Sequence, residues 1–136
     1  LAARAVALYR RLKADCIVAE VNLGGDMVRA VLQQVDATAA VRSVRATRGK
    51  WLRAEPVAAM YAQGRVKHVG AGFSALEDEM ADFGVDGLTS GRSPDRLDAL
   101  VWAVTELAER ARHVGPRIRT LGNDPHLVPA WWRGLR

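Results

Sequence analysis

Cysteine is almost missing from this sequence. Cys16 is the only one in 136 residues, so the chain makes no internal disulfide and no cysteine-rich zinc site, a usage that fits a reducing cytoplasm. Long apolar runs are missing as well. None approaches the ~20 residues that span a bilayer, and the N-terminus lacks the charged-then-apolar layout of a secretory signal, so no membrane partner is expected. His68, His113 and His126 are scattered, with no pair at metal-binding spacing on one helix. Gly49-Lys50 lacks both the earlier glycine and the following Ser or Thr of a phosphate-binding loop, which disfavours nucleotide binding there. Charge of one sign is not overwhelming either. Twenty Lys and Arg against fifteen Asp and Glu give +5, compatible with a polyanionic partner but not proof of one.

What is present is enough apolar content, 49%, for one modest core. Apolar residues spaced three apart predict a helix over 1–13, followed by a short buried strand over 16–19 with Glu20 and Asn22 at its far end. After Gly24-Gly25, the positions of Met27, Val28, Val31, Leu32 and Val35 predict a second helix, with Asp26 near its positive end. A strand over 41–44, a helix over 56–63 closed by Gly64, and a third strand over 65–69 follow. Ser74 and Glu77 have the spacing of a capping box for a helix over 74–83. Ser93-Pro94 reads as a cap followed by proline at the first helical position of a long helix, 95–112. Alternating strands and helices predict an α/β domain with a largely parallel sheet over 1–112. The basic, Trp-containing tail, 113–136, has no periodicity and holds Trp131-Trp132. The start at Leu1, already inside a helical pattern, is expected to be internal, making the chain a fragment.

The residues that bear chemistry are acids and a run of cations. Glu20 falls at the carboxyl end of a buried strand, where ligands collect in α/β sheets, and Asp95 and Asp98 share one face in the first turn of a helix. Carboxylates gathered in this way suit Mg²⁺ or Mn²⁺, and two such ions ~4 Å apart hydrolyse phosphodiesters. By spacing alone, a plainer account stands beside this one: first-turn acids interacting with a helix dipole and a glutamate paired with an arginine. Arg42, Arg45, Arg48, Lys50 and Arg53 form a run without an acid, either a track for successive DNA phosphates or a solvated surface.

The segments Val18-Ala19-Glu20-Val21-Asn22, Gly49-Lys50 leading to Arg53-Ala54-Glu55-Pro56-Val57, and Tyr61-Ala62-Gln63-Gly64-Arg65-Val66-Lys67-His68 resemble the nuclease half of phage terminase large subunits. Ser93-Pro94-Asp95-Arg96-Leu97-Asp98-Ala99-Leu100-Val101-Trp102-Ala103, after Leu76-Glu77-Asp78-Glu79-Met80, resembles that family's closing motif and is the most specific part. The resemblance implies a ribonuclease H-like three-layer fold, incomplete here because its first strands are missing. It implies an endonuclease that cuts concatemeric double-stranded DNA during packaging in a bacterial host's cytoplasm, with two Mg²⁺ or Mn²⁺ ions. Glu20 is similar to the family's second acidic ligand, where many members have Asp, and Asp95 to its third, with Asp98 a close neighbour. The family's first catalytic Asp and its packaging ATPase lie upstream of the residues present, so the chain alone is expected to be inactive, and the strand that carries Glu20 to have an open edge that invites self-association. Portal and small terminase subunit are the partners the resemblance suggests. Two other functions remain: a non-catalytic DNA-binding or motor-docking module, and a resolvase-type nuclease acting on branched DNA.

Overall fold

A computed structural model of the chain describes residues 1–21 and 25–113. In chain order it contains α1 (Ala2–Leu12), β1 (Ile17–Glu20), α2 (Gly25–Val35), β2 (Val41–Val44), α3 (Lys50–Ala62), α4 (Ser74–Asp82) and α5 (Asp95–His113). β1 and β2 pair in parallel, with Ile17 opposite Val41 and Glu20 opposite Val44. Parallel neighbours need a crossover, and α2 supplies it. No helix among the described residues is long and apolar enough to cross a membrane.

The alternation of side chains along β1 sorts the rest of the fold. Ile17 and Ala19 point to one face, where they pack with Val6 of α1, Leu32 of α2 and Val41 of β2. Cys16, Val18 and Glu20 point to the other, against α5. Helices therefore cover both faces of the sheet, and α5 carries α3 and α4 on its far side. There Val57, Leu97 and Val101 form a second buried cluster, joined by Tyr61, Leu76, Met80 and Phe83. An ion pair between an exposed arginine and a buried aspartate ties α1 to the turn after α2: Arg10 Nη2 lies 2.7 Å from Asp36 Oδ2. The hydroxyl and amide of Thr38, and then Arg10, hold the Asp36 carboxyl below the usual range.

Three local expectations need correction. The helix expected to open at Pro56 begins at Lys50, because Gly49 is extended and its carbonyl accepts the Arg53 N–H at 3.2 Å. Pro56 sits inside that helix, where it has no N–H to give the Leu52 carbonyl one turn back, and Leu52 is exposed. Residues 65–69 form no strand. Among the described residues no strand lies beside them, and Val69 is exposed. The Ser74–Glu77 capping box does not form either. The Phe73 carbonyl accepts from Leu76 and Glu77, while the Glu77 carboxylate turns to His68 Nδ1 at 2.7 Å, and His68 Nε2 meets the Tyr61 hydroxyl at 2.8 Å. The acid favoured in a capping box is thus spent on fastening 65–73 to α3 and α4.

α5 starts at Asp95, where the sequence pattern places it, with the Pro94 carbonyl accepting the Asp98 N–H at 2.8 Å. Its free amides are satisfied from elsewhere. Glu79 of α4 accepts the N–H groups of Arg96 and Leu97, both at 3.0 Å, through one oxygen and binds the Arg96 guanidinium at 2.8 Å through the other. Burial raises the Glu79 pKa, but Arg96 and those two amides outweigh it and hold the carboxyl below its ordinary value.

Candidate metal centre and nucleic-acid interface

Strand parity brings Glu20 to α5, and helical periodicity decides what it meets there. Asp95, Asp98, Ala99, Trp102 and Ala103 stand at intervals of three and four along one stripe of α5. With Cys16, Val18 and Glu20 of the strand they line one open cleft of about 380 Å³. The three carboxylates singled out in the sequence therefore share a cleft. They are not equivalent in it. Asp95 is exposed and its carboxylate makes no hydrogen bond or ion pair among the described residues, whereas Glu20 and Asp98 are engaged by neighbours.

Arg53 links the two engaged acids. Its Nη1 lies 3.4 Å from Glu20 Oε2 and its Nη2 3.0 Å from Asp98 Oδ1. The guanidinium stacks 4.7 Å above the Trp102 ring, and the side chain is only 11% exposed. Trp102 donates from Nε1 to Glu20 Oε2 at 2.8 Å, which fixes the carboxylate from a second direction. Lys50, one turn before Arg53 on α3, reaches Asp98 Oδ2 at 3.4 Å and the Ser93 hydroxyl at 2.8 Å. Two acids and two cations thus form one network across β1, α3 and α5.

The cationic run consequently splits. Lys50 and Arg53 turn inward to the acids. Arg42 pairs at 2.9 Å with Glu106, a nearly buried α5 carboxylate that also lies 3.4 Å from Arg110. Arg45 and Arg48, in the turn between β2 and α3, are exposed and have no partner among the described residues. Trp102 and Glu79 were not singled out by sequence reasoning, and Ser93 only as a helix cap, whereas its hydroxyl meets Lys50. Trp102 had a usable signal, since it lies four residues beyond Asp98 and seven beyond Asp95 on the same stripe. Glu79 and Ser93 had none, because their partners lie on other elements. Asn22 and the tail beyond residue 113, with Trp131-Trp132, lie outside the described residues.

The model of the terminase RNase H-like domain matches residues 1–107, through α1 to most of α5 and across every residue of the cleft. The chain belongs to that family. It is a terminase nuclease-type domain with an incomplete ribonuclease H-like α/β fold, and membership implies DNA as its substrate. No curated protein and no solved structure matches the chain. Within the terminase domain, Glu20 and Asp98 are already close enough to share one cation, the Arg53 guanidinium, and Asp95 adds a third hard oxygen donor to the same cleft. Among the described residues, however, no three ligand side chains are gathered closely enough to hold a metal ion.

Proposed function

We propose that this terminase domain cuts double-stranded DNA by metal-dependent phosphodiester hydrolysis, with Glu20, Asp95 and Asp98 as carboxylate ligands for Mg²⁺ or Mn²⁺. The observation that carries this reading is the meeting of a strand-end glutamate and two first-turn aspartates in one open cleft. The donor set fits a divalent cation, because it is made of carboxylate oxygens and two of its members already hold a cation between them. Two donors are in place around one point and a third is nearby, so a further carboxylate from outside the described residues completes the centre. Bound ions would supply an activated water and stabilise the leaving oxygen. The chain's own residues do the rest. Trp102 and Arg53 fix the direction of Glu20, Lys50 and Arg53 fix Asp98, and Glu79 fixes the helix end that carries both aspartates. The substrate in this reading is concatemeric DNA during packaging in a host cytoplasm, with portal and small terminase subunit as partners.

The test is nicking of supercoiled plasmid, with Mn²⁺ or with a chelator, by this chain and by the intact terminase subunit. Cleavage by the intact subunit that the chelator abolishes supports the reading. Cleavage that survives the chelator overturns the metal mechanism, and binding without cleavage by either form favours the non-catalytic module.

Arg45 and Arg48 are the free cations of the run and are proposed to contact the DNA backbone. Phosphate contacts release counterions, each contributing about 0.9 to the slope of log affinity against log salt. Replacing both by Gln is expected to lower that slope by about 2 and to weaken binding to all sequences alike. A loss confined to one sequence, measured by fluorescence anisotropy across a salt series, indicates base reading instead.

A further inference from the structure

The ligand reading gives Arg53 only the task of fixing the direction of Glu20 and Asp98. This arginine is almost buried, with its planar fork spread across two carboxylates and its guanidinium carbon 4.7 Å from the centre of the Trp102 ring. Its Nε is buried and has no hydrogen-bond partner. A guanidinium placed for stability alone would not waste a buried donor, since such groups are ordinarily satisfied. The same fork engages the very oxygens that a metal ion would need. Both Asp98 oxygens are taken, Oδ1 by Arg53 and Oδ2 by Lys50 and Arg53, and Glu20 Oε2 is taken by Arg53 and Trp102.

We propose that Arg53 is the resident counter-cation of the cleft and competes with divalent metal ions for Glu20 and Asp98. Charge counting gives the reason. Glu20 and Asp98 bring two negative charges, Arg53 and Lys50 return two positive ones, and Asp95 alone leaves the cleft with a single excess negative charge. An entering divalent ion therefore meets a site that is mostly neutralised, and it must displace the fork from Asp98 or share the carboxylate with it. The ion is held weakly until Arg53 moves aside, which restrains loading of the nuclease before the site is fully assembled. The proposal regulates the same centre and rests on the reading of the cleft as a metal site.

Calorimetric titration of the intact terminase subunit with Mn²⁺, without nucleotide, tests it on wild type, Arg53→Gln, Arg53→Lys and Glu20→Gln. The heat lost in Glu20→Gln identifies the cleft's share of binding. Removing a positive charge ~5 Å from a divalent ion near a water-exposed surface corresponds to roughly tenfold, so Arg53→Gln is expected to bind Mn²⁺ about tenfold more tightly. Arg53→Lys keeps the charge but cannot bridge two carboxylates, and a smaller gain is expected. If Arg53→Gln does not fold by circular dichroism, Arg53→Lys decides alone. Binding that Glu20→Gln weakens but that no Arg53 variant tightens overturns the competition and leaves the metal reading intact. No Mn²⁺ binding, or binding indifferent to Glu20, removes both.

Discussion

Glu20→Gln in the intact terminase subunit is expected to lower Mn²⁺-dependent cleavage by more than about 100-fold while leaving DNA affinity within about twofold. Groups that only orient a metal ligand typically account for about 10–100-fold, so a loss beyond that range distinguishes a ligand from its support. The isosteric change is informative because the amide oxygen still accepts from Trp102 Nε1 and only the charge is removed. Glu20→Ala deletes that acceptor too and leaves the largely buried Arg53 with Asp98 as its remaining acid partner. It should lose as much activity and some stability. Gel-based nicking rates measured beside anisotropy affinities separate the outcomes: full activity in Glu20→Gln removes Glu20 from the metal centre, whereas parallel loss of DNA binding gives it a substrate-holding role.

Glu79→Ala is expected to destabilise the domain by about 2 kcal/mol. Helix N-caps are worth about 0.5–2 kcal/mol, and Glu79 satisfies two amides of α5 from another helix rather than one from its own. The favourable interaction of its charge with the helix terminus adds to this. Since the folded-state pKa of Glu79 is depressed, its contribution is present above the unfolded-state pKa and is lost as pH falls through the folded value. The stability gap between wild type and Glu79→Ala should therefore be full at neutral pH and close in acid. Glu79→Gln, which keeps one acceptor, should fall between them at neutral pH. Denaturant unfolding at a series of pH values measures all three, and a gap independent of pH would mean that packing, not the charged cap, is what Glu79 supplies. Because α5 carries Asp95 and Asp98 in its first turn, the same substitution is expected to slow cleavage even where the domain remains folded.

Much of the site could be read in one dimension because its geometry is periodic. A period of two along β1 sends Glu20 to the face shared with Val18, and a spacing of three places Asp95 and Asp98 on one side of α5. The apolar pattern of α5 likewise reports the burial of Leu97 and Val101, whereas in α2 only Leu32 is buried and Met27, Val28, Val31 and Val35 are exposed. The misjudged places share a different cause. The sequence pattern starts this helix at Pro56, although the extended Gly49 lets it begin at Lys50 and take Pro56 into its interior. The run 65–69 has strand composition, yet a strand needs a neighbour, and the described residues offer it none.

By itself, the sequence determined the α/β alternation, the parallel crossover through α2 and the family, since local period and motif order carry these. Only the tertiary structure decided which cation meets which acid. Arg53 belongs to the same unbroken run as Arg45 and Arg48, but it is separated by 33 residues from Glu20 and by 45 from Asp98, and nothing local distinguishes it from its neighbours. The packing of α3 on α5 and of α5 on β1 turns Arg53 inward and leaves Arg45 and Arg48 in solvent. A charge pattern along a chain records composition, while the partner of each charge is set by which helix faces pack together.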